Sequence, residues 1–203
     1  MRFRVAVILV ALLAGSSFHP QHASAVDRVG LYFDTVGAAQ CQDVVGGLPV
    51  TVYVILEDPT FQRLYGWEAS VQSAQGVLFL MGSSLPVGGV NSGSGTEFHV
   101  EYSEPLTLGP KTVLAALTLL PISPETCLVL TGVSPPSLPV FGPIVWSSAD
   151  TANEIATSDA LASGVDAIIG GCSTIPENPP HIPCAGVVAV LRTNWGALKS
   201  TYR

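Results

Sequence analysis

Val50-Thr51-Val52-Tyr53-Val54-Ile55-Leu56, then Gly66-Trp67-Glu68-Ala69-Ser70-Val71-Gln72, are the two runs that decide the fold. The first is apolar, rich in β-branched residues and free of breakers, which is the composition of a buried strand. The second alternates strictly. Trp67, Ala69 and Val71 go to one face and Glu68, Ser70 and Gln72 to the other, the pattern of a strand with one side in water. Between them Glu57 to Tyr65 contains Asp58-Pro59, which cannot continue a ladder, so the two runs read as adjacent strands joined by a short connection.

Outward from this pair, the chain keeps the same character. Toward the N-terminus, Val29-Gly30-Leu31-Tyr32-Phe33-Asp34 reads as a first strand, and the polar connection from Asp34 to Gly47 carries Cys41. Toward the C-terminus, strands are expected at Gly76 to Met81, Glu97 to Tyr102, Lys111 to Ile122, Thr126 to Thr131, Ile144 to Ser147, Val165 to Ile169 and Gly186 to Leu191. Ser83 to Thr96 is rich in glycine and serine. A strand follows it where a phosphate cradle would need a helix N-terminus, so it reads as a hairpin-like loop. A turn of helix is expected near Ser158 to Ser163. No repeat of fixed period appears, and short strands between turn-rich stretches point to an all-β fold, a single antiparallel β-sandwich.

The N-terminus has two arginines in Met1 to Arg4, an apolar run from Val5 to Ala14, and the small-x-small step Ala23-Ser24-Ala25. These are the three parts of a secretory signal peptide, and ten apolar residues are too few to span a bilayer. The expected organisation is a signal helix over residues 1–25, a sandwich over 26–192 and a short amphipathic helical tail over 193–203. Removing Arg2 and Arg4 leaves 6 basic against 15 acidic side chains, a net charge near -9. Such a chain has no basic patch to neutralise phosphates, which argues against nucleic acid and anionic membranes as partners.

All four cysteines, Cys41, Cys127, Cys172 and Cys184, follow the signal, and an even number in an exported chain reads as two disulfides. Three pairings are open. Cys172 with Cys184 and Cys41 with Cys127 is the favoured set, contributing about 3 and about 4.5 kcal/mol in the chain-entropy picture. Zinc is disfavoured because no Cys-x-x-Cys pair exists and the exported part has only His99 and His181. In the tail, Asn194 is placed to cap a helix that carries Trp195, Leu198 and Tyr202 on one side. Two uses for it stay open, a docked cover for the sandwich and a tail read by a sorting partner.

The strand at Val50 to Leu56 with Gly66-Trp67-Glu68-Ala69-Ser70-Val71 resembles the early strands of cohesin-like domains and related carbohydrate-binding sandwiches. The chain also resembles a group of secreted bacterial proteins of no assigned activity. That likeness lies in the opening strand, the Gly66-Trp67-Glu68 step and the ending Trp195-Gly196-Ala197-Leu198-Lys199-Ser200-Thr201-Tyr202-Arg203. The cohesin likeness implies protein docking through a sheet face, with a dockerin as one kind of partner on another chain. It carries no binding residues over to this sequence.

Catalytic signatures are missing: there is no Gly-x-Ser-x-Gly elbow, no His-Glu-x-x-His and no Gly-x-x-x-x-Gly-Lys loop, and no cofactor motif. His99 and Glu101 share one strand face, where a solvated pair is the ordinary reading and general-base chemistry the alternative. Tyr65, Trp67, Tyr102 and Trp146 are the aromatics available to a sugar-binding face, with Trp67 expected in the core. The reading is therefore an exported interaction or structural module that is not an enzyme, with an extracellular protein or glycan as partner. A carbohydrate-binding module and a two-carboxylate glycan hydrolase are the alternatives.

Overall fold

The computed structural model describes residues 27–44, 47–123, 125–137, 142–147, 154–155, 157–158 and 166–170. Its strands are β1 (Arg28–Tyr32), β2 (Cys41–Gln42), β3 (Val50–Glu57), β4 (Arg63–Gln75), β5 (Leu78–Ser84), β6 (Gly89–Asn91) and β7 (Glu97–Thr107). They continue as β8 (Lys111–Pro121), β9 (Thr126–Thr131), β10 (Ile144–Trp146), β11 (Glu154–Ile155), β12 (Thr157–Ser158) and β13 (Ala167–Ile169). A five-stranded sheet runs in the order β12-β1-β3-β8-β5, and a larger one runs β11-β10-β4-β9-β13-β2, with β7 on β4 and β6 on β7. The fold is the all-β sandwich expected; among the described residues most ladders are antiparallel, and β1 with β12 and β13 with β2 are parallel.

The expected strands fall on β1, β3 to β5, β7 to β10 and β13. The adjacency of the two deciding runs does not hold in space. β3 lies in the five-stranded sheet and β4 in the other, so residues 58–62 step from one layer to the next. A connection of that length closes a hairpin or crosses between layers equally well, and the buried faces settle it. The inward sides of β1, β3 and β8 (Val29, Leu31, Val52, Val54, Leu56, Leu114, Leu117, Leu119) meet those of β4, β7 and β9 (Leu64, Trp67, Ala69, Val71, Phe98, Val100, Leu128).

Trp67 takes its expected central place. It is stacked on Phe98 with ring centroids 5.6 Å apart, and its Nε1 donates to the Tyr102 hydroxyl at 3.3 Å. Burial pushes the Tyr102 phenol up to about 12, although the Trp67 hydrogen bond acts the other way. Of the helical turn expected near Ser158 to Ser163, Ser158 ends strand β12 and residues 159–163 lie outside the described residues, as do the 186–191 strand, the signal segment, His181, Cys172, Cys184 and the tail with Trp195, Leu198 and Tyr202.

Candidate functional site

Three groups of side chains stand on the outer faces of the two sheets. The first is on β1 and β3, toward one end of the five-stranded sheet. Val29 and Leu31 face the core, so Arg28, Gly30 and Tyr32 face outward, opposite Glu57, Ile55 and Tyr53 of β3. This end is nevertheless closed. Glu57 is 2% exposed, and it accepts the Tyr32 hydroxyl at 3.0 Å while Arg28 and Lys111 both ion-pair with it. The Tyr32 ring lies over Gly30, where a Cβ would come 2.7 Å from the ring, and Lys111 sits 5.8 Å from its centroid.

A loop covers this end. Asp34 accepts the backbone N–H groups of Val36, Ala38 and Ala39, and the Lys111 ammonium donates to the Gly37 carbonyl at 2.8 Å. Gly37 has φ +65°, a left-handed position where a Cβ would come 2.7 Å from Glu57 Oε1, so glycine is needed for both backbone and space. Burial acts to raise the Asp34 carboxyl, but the backbone donors from Ala38, Ala39 and Val36 outweigh it and hold it below its ordinary value.

The second group corrects the reading of β4 as half-solvated. Glu68 is 0% exposed and Ser70 1%, and of the supposed solvent side only Gln72 is exposed. Glu68 accepts the backbone N–H of Ser137 at 2.9 Å and the Ser137 hydroxyl at 2.5 Å, and it lies 3.3 Å from His99 Nδ1. The His99–Glu101 pair expected from strand spacing is thereby replaced by a cross-strand pair, since His99 stands opposite Glu68 in the ladder while Glu101 stays exposed. The Ser137 hydroxyl donates to the Glu68 carboxylate and not to the imidazole, so the arrangement is not a Ser–His pair. Trp146 lies on Gly66, where a Cβ would meet the ring at 2.2 Å. The four aromatics considered for a sugar platform are thus divided. Trp67 and Tyr102 are in the core, Trp146 lies on Gly66 and Tyr65 is half-buried.

The cysteines follow the ladder. Cys41 and Cys127 both stand opposite Ile168 of β13, one on each flank. Two strand spacings separate their Cα atoms by roughly 9.5 Å, beyond the reach of about 7 Å for a disulfide. The favoured Cys41–Cys127 pairing therefore fails on geometry.

The third group is at the β5 edge, and the sequence reading did not single it out. Val77, Phe79, Met81 and Ile122 are exposed at 52, 56, 61 and 52%. Phe79 stands opposite Leu120, the Ile122 N–H donates to the Val77 carbonyl, and a bulge between Leu80 and Gly82 carries Met81. These four side chains form one apolar corner beside the last strand of the sheet. From Ala69 to Thr96 the chain has no ionisable side chain at all. That silence in charge was the available signal.

Among the described residues no three His, Cys, Asp or Glu side chains are placed to hold a metal ion, and no helix is long and apolar enough to cross a membrane. No protein-family model and no curated protein matches the chain. Solved structures with a similar arrangement include the sixth cohesin of scaffoldin B from Acetivibrio cellulolyticus, in complex with a dockerin, at 13% identity and TM-score 0.48, covering 71% of this chain and 98% of that one. A third ScaB cohesin from R. flavefaciens, in complex with a group 1 dockerin, gives 14% identity, TM-score 0.47 and coverages of 72% and 96%. A non-cellulosomal cohesin from the archaeon Archaeoglobus fulgidus gives 13%, 0.42, 66% and 87%. These are sandwiches of the kind the β3–β4 pattern resembles, and at these scores the likeness places the chain in no family.

Proposed function

We propose that this chain is an exported, non-catalytic protein-interaction module that meets its partner through the apolar corner at β5. The observation that carries the reading is the corner itself. Full burial of a Phe, Met, Ile or Val side chain stabilises by roughly 1.5 to 3 kcal/mol, and leaving each half exposed forgoes about half of that. Four such residues side by side, with no charge among them, are what a protein contact uses and what a free surface avoids.

A glycan partner has less support, because the aromatics that would stack on sugar rings are buried or spent on the fold. Export follows from the arginine-apolar-small pattern of residues 1–25 and would give the cysteines an oxidising compartment. In that compartment Cys41 and Cys127 each bond to one of Cys172 and Cys184, so that the end of the sequence is tied to both flanks of β13. Non-reducing peptide mapping reads this directly, and a Cys41–Cys127 peptide would refute it.

The interaction reading is tested with a photo-crosslinking amino acid placed at Phe79 and, as a control, at exposed Gln72, in the producing cell and its medium. Protease-sensitive, glycosidase-resistant adducts from position 79 and none from position 72 are expected. Equal or absent crosslinking at the two positions would sink it.

A further inference from the structure

We propose that the partner at this corner is a second copy of the chain, joined by antiparallel pairing of the two β5 strands about a two-fold axis at Leu80. This rests on the interaction reading above and adds to it who the partner is.

Three observations favour a second copy. β5 ends its sheet: β8 fills one side, and among the described residues no strand lies on the other. Natural edge strands are protected by lysine, proline or inward charge, and Leu78–Ser84 has none of these. Its bulge at Met81 leaves the exposed apolar side chains in place and does not remove them.

The strand is also complementary to itself. With the axis at Leu80, Phe79 of one copy faces Met81 of the other, and the symmetry makes the contact twice. Ring and thioether are a favourable pair, and both are more than half exposed in the single chain. Leu78 then faces Gly82, whose Cβ position has nothing within 4 Å. An isologous contact of this kind closes on itself and stops at two.

Charge gives the third argument. A chain carrying about -9 after signal removal repels its copies over most of its surface, and the segment from Ala69 to Thr96 is where two can meet without ionised groups opposed. A strongly charged partner finds nothing to pair with there. The patch is small, so the contact falls in the weak class of interfaces that bury under about 1,200 Å². Association on the order of micromolar is expected.

The experiment is sedimentation velocity of the exported full chain across the micromolar range, with the Phe79→Lys and Met81→Glu chains alone and mixed. A monomer–dimer equilibrium is expected, weakened at least about tenfold by either substitution. Mixing the two restores a one-to-one heterodimer, because the introduced ammonium of one copy faces the introduced carboxylate of the other. Both sites are exposed, so the melting temperature reports that each variant is folded. A photo-crosslinker at Phe79 that joins two chains at Met81 is the same test without a charge change. A chain that stays monomeric at every concentration, or a dimer indifferent to Phe79→Lys, overturns the proposal. If monomers persist while crosslinks from position 79 reach a different protein, the interaction reading stands and only the second copy is lost.

Discussion

At the β1 end of the five-stranded sheet the outer face carries Arg28, Tyr32, Glu57 and Lys111 beneath the loop from Asp34 to Ala39; at the β5 end it carries Val77, Phe79, Met81 and Ile122, all more than half exposed. Both ends share one core. What differs is how each outer surface is finished. At one end a buried carboxylate draws two cations and a phenol together, and the chain folds its own loop across them. At the other no polar group gathers anything, and apolar area is left in water. The closed end is thus committed to the fold, while the open end contributes little to the stability of a single chain.

That contrast is open to measurement. The largest loss is expected at Glu68, the closed site of the other sheet. Glu68→Ala would empty a site that is 0% exposed and take the acceptor from the Ser137 N–H, its hydroxyl and His99, costing about 2 to 4 kcal/mol, read by chemical denaturation. Glu57→Ala comes next at about 1 to 3 kcal/mol, smaller because Arg28 and Lys111 are 38 and 41% exposed and can turn to water. Tyr32→Phe removes one hydrogen bond to Glu57 and is expected to cost about 1 kcal/mol. Phe79→Lys should move stability by less than about 0.5 kcal/mol, as surface changes do. A loss at Phe79 as large as that at Glu57 would break the comparison.

Acid sharpens it further. Asp34 has a folded pKa below its ordinary 3.8, so its contribution is fully present above that value and is lost as pH falls through the depressed folded value. Amide exchange at Val36, Ala38 and Ala39 is therefore expected to accelerate below about pH 4 relative to the intrinsic rate. The β5 strand, which has no titratable side chain, should show no such change of its own. Equal acceleration at both ends would mean that acid acts on the whole fold and not on the loop.

The strands themselves were largely legible. Runs such as Val50–Leu56 and Thr126–Thr131 state their conformation through β-branched composition, and Trp67 states its burial through alternation. Glu68 shows where such reading stops. Alternation reports which face a side chain takes, but not that Ser137, far along the chain, returns to cover that face. His99 was paired with Glu101 because strand neighbours are visible in sequence and ladder neighbours are not. The cysteines are illegible for the same reason: only the register puts Ile168 between Cys41 and Cys127. The β5 corner leaves no motif in the sequence, because it is defined by having no reactive or charged group.

The two parallel ladders bear on the order in which the chain can be completed. β2 has β13 as its neighbour and β1 has β12 on its outer flank, so Cys41 waits for Ile168, and Arg28 for Thr157. The first strands to be synthesised are finished by nearly the last of those described. A growing chain that stops at β9 has both deciding runs and most of the core residues, yet one early strand lacks its ladder and the other has an open flank. Such a chain is held back from its final form until β12 and β13 are made, a delay that, under the export proposed above, suits a polypeptide threaded through a membrane before it folds.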